Sequence, residues 1–167
     1  MKPNINLLSA LLFFPLIAFA DDHHQKGSKT FPVVTNKIYK ESCGSCHFAY
    51  QPGLLPSRSW VKIVDESNAH AGGDISLGEK TKAEVKNYLA QNSAENSKTE
   101  KSRKILDSIG NDTPVMISET PYIKHKHHQI SEDVFARKAI GSRGNCIACH
   151  KSAESGIYDD DDVIIPK

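Results

Sequence analysis

An excess of charge of either sign is missing from this chain. Its 167 residues carry 21 Lys and Arg against 20 Asp and Glu, and one of the bases, Lys2, falls in a stretch read below as a leader. The remaining 20 bases and 20 acids cancel, so the basic excess needed to bind a phosphate backbone is absent and a nucleic-acid role is excluded. Long apolar runs are also missing, except at the start. Leu7 to Phe19 is mostly apolar, follows the single charge of Lys2 and ends in the small-x-small site Ala18-Phe19-Ala20, a pattern that predicts a secretory signal over residues 1–20. No later run approaches the roughly 18 apolar residues of a membrane-spanning helix. The expectation is an exported chain with no stable membrane insertion after signal cleavage. Gly-rich phosphate loops, nucleophile elbows and calcium-loop spacings are absent as well.

Cysteine is present, but none is left over. All four lie in two copies of one pattern, Cys43-Gly44-Ser45-Cys46-His47 and Cys146-Ile147-Ala148-Cys149-His150. C-x-x-C-H is the attachment signal for c-type haem: one helical turn presents two thiols to the two porphyrin vinyl groups, and the adjacent His reaches the iron. A four-cysteine zinc site would place its pairs about 15–20 residues apart, far closer than these. Redox dithiols of the thioredoxin type need no His after the second Cys and rarely come in pairs, and plain structural disulfides need none either. The pattern therefore predicts two covalently attached haem c groups on Cys43, Cys46, Cys146 and Cys149, with His47 and His150 as proximal ligands. Cleavage after Ala20 leaves roughly 70 residues for each haem, a size at which polypeptide alone forms a marginal core. The haem faces are expected to complete that core, leaving the haem-free chain largely unfolded.

The second axial ligand is sought by elimination. Met1 leaves with the signal, so Met116 is the remaining thioether and a His/Met pair can form on one haem at most. The other candidates are His23, His24, His70, His125, His127 and His128. His70 follows an expected helix over Ser59–Asn68, whose apolar face carries Trp60, Ile63 and Val64, and precedes Gly72-Gly73, where the backbone can turn closely around a ring. It is either a solvated loop residue or, with a haem to ligate in the same half, the distal ligand. The tract His125-Lys126-His127-His128 precedes Ser131-Glu132-Asp133, a helix start, and that helix is expected to end at Gly141. Spacing alone does not choose among the three histidines.

A longer pattern narrows the choice. The run from Cys43 to Pro56, then Ser59-Trp60, His70, Gly72 and Tyr88-Leu89, resembles the first half of the small periplasmic dihaem cytochromes c of proteobacteria. Thr120-Pro121-Tyr122, His127, Ile130, Asn145 to His150, Ala153, Gly156 and Ile165-Pro166 resemble the second half. The resemblance implies a mainly α fold of two small haem-binding domains, the first like a reduced class I cytochrome c, with long loops packed on haem. It implies bis-histidine ligation, His47 with His70 and His150 with His127, leaving His125 and His128 as bystanders. Ala71 departs from the family, which usually has Phe there. The division expected is a signal peptide over 1–20, an N-terminal haem c domain over 21–110 and a C-terminal haem c domain over 111–167, with residues 111–121 as the crossing.

Other segments read as scaffold. Thr81 to Asn92 predicts a helix with Thr81 and Glu84 as capping box and Val85, Tyr88 and Leu89 inward. Ser97 with Glu100 predicts another, with Ile105, Leu106 and Ile109 inward and Gly110 as its stop. Asp21-Asp22-His23-His24 reads as a polar start that could offer square-planar copper or nickel ligands after cleavage, and Asp159–Asp162 as an acidic tail or docking patch. Six-coordinate bis-histidine haems have no position free for substrate, so the expected function is electron transfer in the periplasm, not catalysis. The resemblance implies a membrane b-type cytochrome as donor and an oxygen-binding, high-spin monohaem cytochrome c as acceptor. The alternative is a small dihaem enzyme with one open iron, reducing peroxide or a small oxygen or nitrogen species.

Overall fold

The computed structural model describes residues 30–70, 73 and 75–167. The expected signal over 1–20, the polar start with His23 and His24, and Ala71 and Gly72 beside His70 lie outside the described residues. Within them are seven α-helices, joined by 3-10 turns and extended loops. His150 and Val163 form an isolated antiparallel bridge. The mainly α expectation therefore holds, and no helix among the described residues is long and apolar enough to cross a membrane.

Helix α1, Lys37–Cys43, starts where the Asn36 side chain accepts the Tyr39 N–H at 2.8 Å. Helix α2, Ser57–Asp65, has Pro56 at its N-cap, which offers no side-chain acceptor. The Glu95 carboxylate takes that place, accepting the Ser57 N–H at 2.9 and 3.1 Å and placing negative charge at the helix start. This distant cap is why α2 begins two residues before its expected start at Ser59. It also ends sooner than Asn68, because Ser67–Ala69 tightens into a 3-10 turn. Trp60 and Val64 are buried as expected.

Helix α3, Glu79–Gln91, corrects the proposed capping box. It starts at Gly78 with no side-chain cap, and the Gly78 carbonyl already accepts the Lys82 N–H at 2.9 Å, so Thr81 lies inside the helix. Helix α4, Glu100–Ile109, is capped by Thr99, whose hydroxyl accepts the Ser102 N–H at 3.1 Å. Ser97 is one step removed, accepting the Thr99 N–H at 3.3 Å. Gly110 ends α4 at φ +57°, as its position predicted.

Three apolar clusters follow from these helices. Val34, Tyr39, Leu55, Trp60, Val64, Val85 and Leu89 join α1, α2 and α3, with Cys43 packed at the edge. Phe31, Leu54, Ile105 and Ile109 form a middle cluster that also receives Tyr122, Ile123 and Tyr158 from the second half. Phe135, Ile140 and Ala148 form the third, beside Cys149. Helix α5, Pro121–Lys126, packs on α4 and carries the histidine tract at its end. Helix α6, Glu132–Phe135, stops after one turn instead of running to Gly141. The N–H groups of Ile140 and Gly141 both donate to the Arg137 carbonyl at 2.8 Å, which folds Ile140 back into the cluster with Phe135. Burial of Ile140, on the order of 2 kcal/mol, outweighs another helical turn.

Candidate haem sites

The two attachment motifs take different local forms. Cys146–Cys149 is the short helix α7, and the His150 N–H donates to the Cys146 carbonyl at 2.8 Å, so both thiols and the histidine share one turn. In the first motif, α1 ends at Cys43 and residues 44–47 form bends. The difference lies in the two intervening residues. Gly44 and Ser45 are weaker helix formers than the Ile147-Ala148 pair taken together, and a Cβ at Gly44 would meet the Lys40 carbonyl oxygen at 2.3 Å. No disulfide joins the four cysteines, of which Cys46 is exposed and the others half-buried.

Each motif histidine has a second histidine beside it. His47 and His70 stand with ring centroids 6.0 Å apart and planes at 41°. His70 is delivered by the turn after α2: its N–H donates to the Ser67 carbonyl, and its own carbonyl accepts from Gly73, which takes φ +134°. In the second half, His150 and His127 stand 6.1 Å apart at 83°. His127 follows α5, whereas His125 and His128 are exposed and stack on each other at 5.5 Å and 11°. Met116 is nearly half exposed, at 47%.

Hydrogen bonding prepares these rings for a metal. The Nδ1 of His47 lies 2.9 Å from the Phe48 carbonyl, and that of His127 lies 2.8 Å from the Ile123 carbonyl. A carbonyl can only accept, so in both rings Nδ1 carries the proton and Nε2 keeps its lone pair. The Nδ1 of His150 is buried without a partner. Burial, and then the neighbouring imidazole, depress His70 below the ordinary histidine value, and the same two causes depress His150. Neutral imidazoles are the form that ligates iron.

Two imidazoles bound to opposite faces of one metal at about 2 Å per bond have centroids about 6 Å apart. Both pairs have that spacing, each beside two cysteines, so the residues present fit two haem c groups. Cys43, Cys46 and His47 would hold the first group with His70, and Cys146, Cys149 and His150 the second with His127.

Tyr50, Gln51 and Tyr158, to which no motif or period draws attention, join the two sites. The Tyr50 ring stacks on His47 at 4.7 Å, and its hydroxyl donates to the Gly144 carbonyl at 2.6 Å. The Tyr158 ring meets His150 at 5.6 Å, and its hydroxyl donates to the Gln51 side chain at 2.6 Å. Hydroxyl and amide contacts across about 100 residues leave no periodic trace in a sequence.

The family model described as dihaem cytochrome c matches residues 39–158. The fold is similar to a diheme cytochrome c from Rhodobacter sphaeroides, with a TM-score of 0.66 and 36% identity over 76% of this chain and 99% of that one. It is also similar to a diheme cytochrome type c from Shewanella baltica OS155, with a TM-score of 0.63 and 32% identity over 78% of this chain and 93% of that one. No curated protein matches the chain. A family model that spans both attachment motifs, and agreement along almost the full length of both solved proteins, place this chain in the dihaem cytochrome c family, as an electron-transfer protein that carries two haem c groups.

Proposed function

We propose that this chain is a periplasmic electron carrier in which each haem is held by two histidines, His47 with His70 and His150 with His127. The observation that supports this reading is the matched spacing of the two imidazole pairs, 6.0 and 6.1 Å, one in each half of the chain. Residues 21–110 then form the first haem c domain and 111–167 the second. Cys43 and Cys46 anchor one porphyrin, Cys146 and Cys149 the other. When bound, haem c supplies a one-electron ferric–ferrous couple.

The protein's own contribution is to fix and tune that couple. Carbonyls of Phe48 and Ile123 orient the His47 and His127 rings, and histidine in place of methionine lowers the potential. Two histidines at each site would leave a bound iron no position for peroxide or a small oxygen or nitrogen species, which favours the carrier over an enzyme. The donor is a membrane b-type cytochrome and the acceptor an oxygen-binding, high-spin monohaem cytochrome c. Formal neutrality leaves docking to local patches near the haem edges, not to a global field.

Low-temperature EPR of the oxidised holoprotein, with carbon monoxide added to the reduced form, tests the ligation. Two low-spin ferric signals and no carbon monoxide shift are expected. A high-spin signal or a carbon monoxide complex would overturn the bis-histidine assignment and favour the enzyme.

A further inference from the structure

We propose that Tyr50 and Tyr158 form a crossed clasp that sets the relative position of the two haem sites, and with it the rate of electron exchange between them. The inference rests on His47 and His150 being iron ligands, as assigned above. Each of these histidines is faced by a tyrosine from its own half, and each tyrosine is tied by its hydroxyl to the other half. Tyr50 stacks on His47 at 4.7 Å and 30° and donates to the carbonyl of Gly144, two residues before Cys146. Tyr158 meets His150 edge-on at 5.6 Å and donates to Gln51, the residue after Tyr50. Gln51 is fully buried, and its amide donates to the Ala153 carbonyl at 2.7 Å, closing the second arm.

Filling space does not require this chemistry. Two hydroxyls and an amide are withdrawn from water here, which is tolerated only because each finds a partner, and every one of those partners lies across the join. Apolar side chains would fill the same volume without fixing a register between the halves. Neighbours hold the clasp in turn: the Tyr39 hydroxyl donates to the Tyr50 carbonyl at 2.9 Å, and the Phe31 ring abuts Tyr158 at 5.8 Å.

The tyrosines are positioning residues, not electron relays. The exchange they serve is one electron, lost by one iron and gained by the other, with no proton moved. Their hydroxyls face a carbonyl and an amide oxygen, neither of which is a base able to take the phenolic proton as a ring is oxidised.

The test compares holoprotein variants Tyr50→Phe, Tyr158→Phe and, as a control within the first half, Tyr88→Phe. The rings on His47 and His150 are retained and only the ties across the join are cut. Pulse radiolysis reads the exchange rate, spectroelectrochemistry the separation of the two midpoint potentials, and EPR the ligation in the same samples. The expected result is a several-fold slower exchange and a shifted separation in Tyr50→Phe and Tyr158→Phe, with low-spin signals intact and Tyr88→Phe like the parent. Unchanged exchange and potentials in both clasp variants would overturn the proposal, as would equal slowing in Tyr88→Phe. A parent protein with a high-spin iron would instead refute the ligand assignment, an outcome read before any variant is compared.

Discussion

His127 faces His150 with ring centroids 6.1 Å apart, and its Nδ1 is held by the Ile123 carbonyl one turn back. Its neighbours His125 and His128 stack on each other in solvent. His127→Ala should therefore open one iron, giving a high-spin ferric signal and a carbon monoxide complex in the reduced protein. His125→Ala and His128→Ala should leave the EPR spectrum unchanged. Carbon monoxide binding in either of those two, and not in His127→Ala, would assign the ligand differently.

Removal of haem should unfold much of the chain. The cluster beside the second motif has only Phe135, Ile140 and Ala148 as its buried members, too small a core to stand without the porphyrin face. The haem-free polypeptide is expected to give a poorly dispersed proton NMR spectrum with reduced helical dichroism. A sharp, dispersed spectrum would show that the polypeptide core suffices.

Gly156 takes φ +76°, and a Cβ there would lie 2.1 Å from the Phe31 carbonyl oxygen. The opposing atom is backbone and is itself held, since the Phe31 N–H donates to the Gly156 carbonyl at 2.9 Å. Gly156→Ala should destabilise the holoprotein by about 2 kcal/mol or more, combining left-handed strain with a displaced backbone. Denaturant titration followed by dichroism measures it, and a change below about 0.5 kcal/mol would contradict the close approach.

An ion pair supplies a pH signature away from the haem ligands. Glu132, at the start of α6, is hydrogen-bonded to Arg143, which holds its carboxyl below the ordinary value of 4.5. A depressed folded value means stability that is present above the unfolded value and lost as pH falls through the folded one. Glu132→Gln should therefore weaken the protein at neutral pH and remove part of its acid-induced loss, with the two proteins converging at low pH. Glu132 is exposed and Arg143 half-buried, so the effect is small and should shrink further in high salt.

The sequence was most informative where local chemistry decides the outcome. Cys-x-x-C-H needs only neighbouring residues, and the inward faces carrying Trp60, Val64, Val85, Leu89, Ile105 and Ile109 follow from helical period; all six are buried. Helix starts were less legible, because distant groups set them. Glu95 caps α2 from a later loop, and the α3 ladder runs back past Thr81 to Gly78. The acidic run at Asp159–Asp162 was read as a tail or docking patch, yet Asp160 is paired with Lys126, the residue before His127. The link from Tyr50 to Gly144 spans 94 positions, and no spacing rule connects them.

Synthesis delivers a chain from its N-terminus, which gives the ties between the halves a place in time. Phe31, Tyr50 and Gln51 emerge long before Gly144, Ala153 and Gly156, the residues that supply their hydrogen-bonding partners. Until then the residues that follow the first Cys-x-x-C-H motif lack their partners across the join. The register between the two attachment segments is therefore fixed only once the second half is in place.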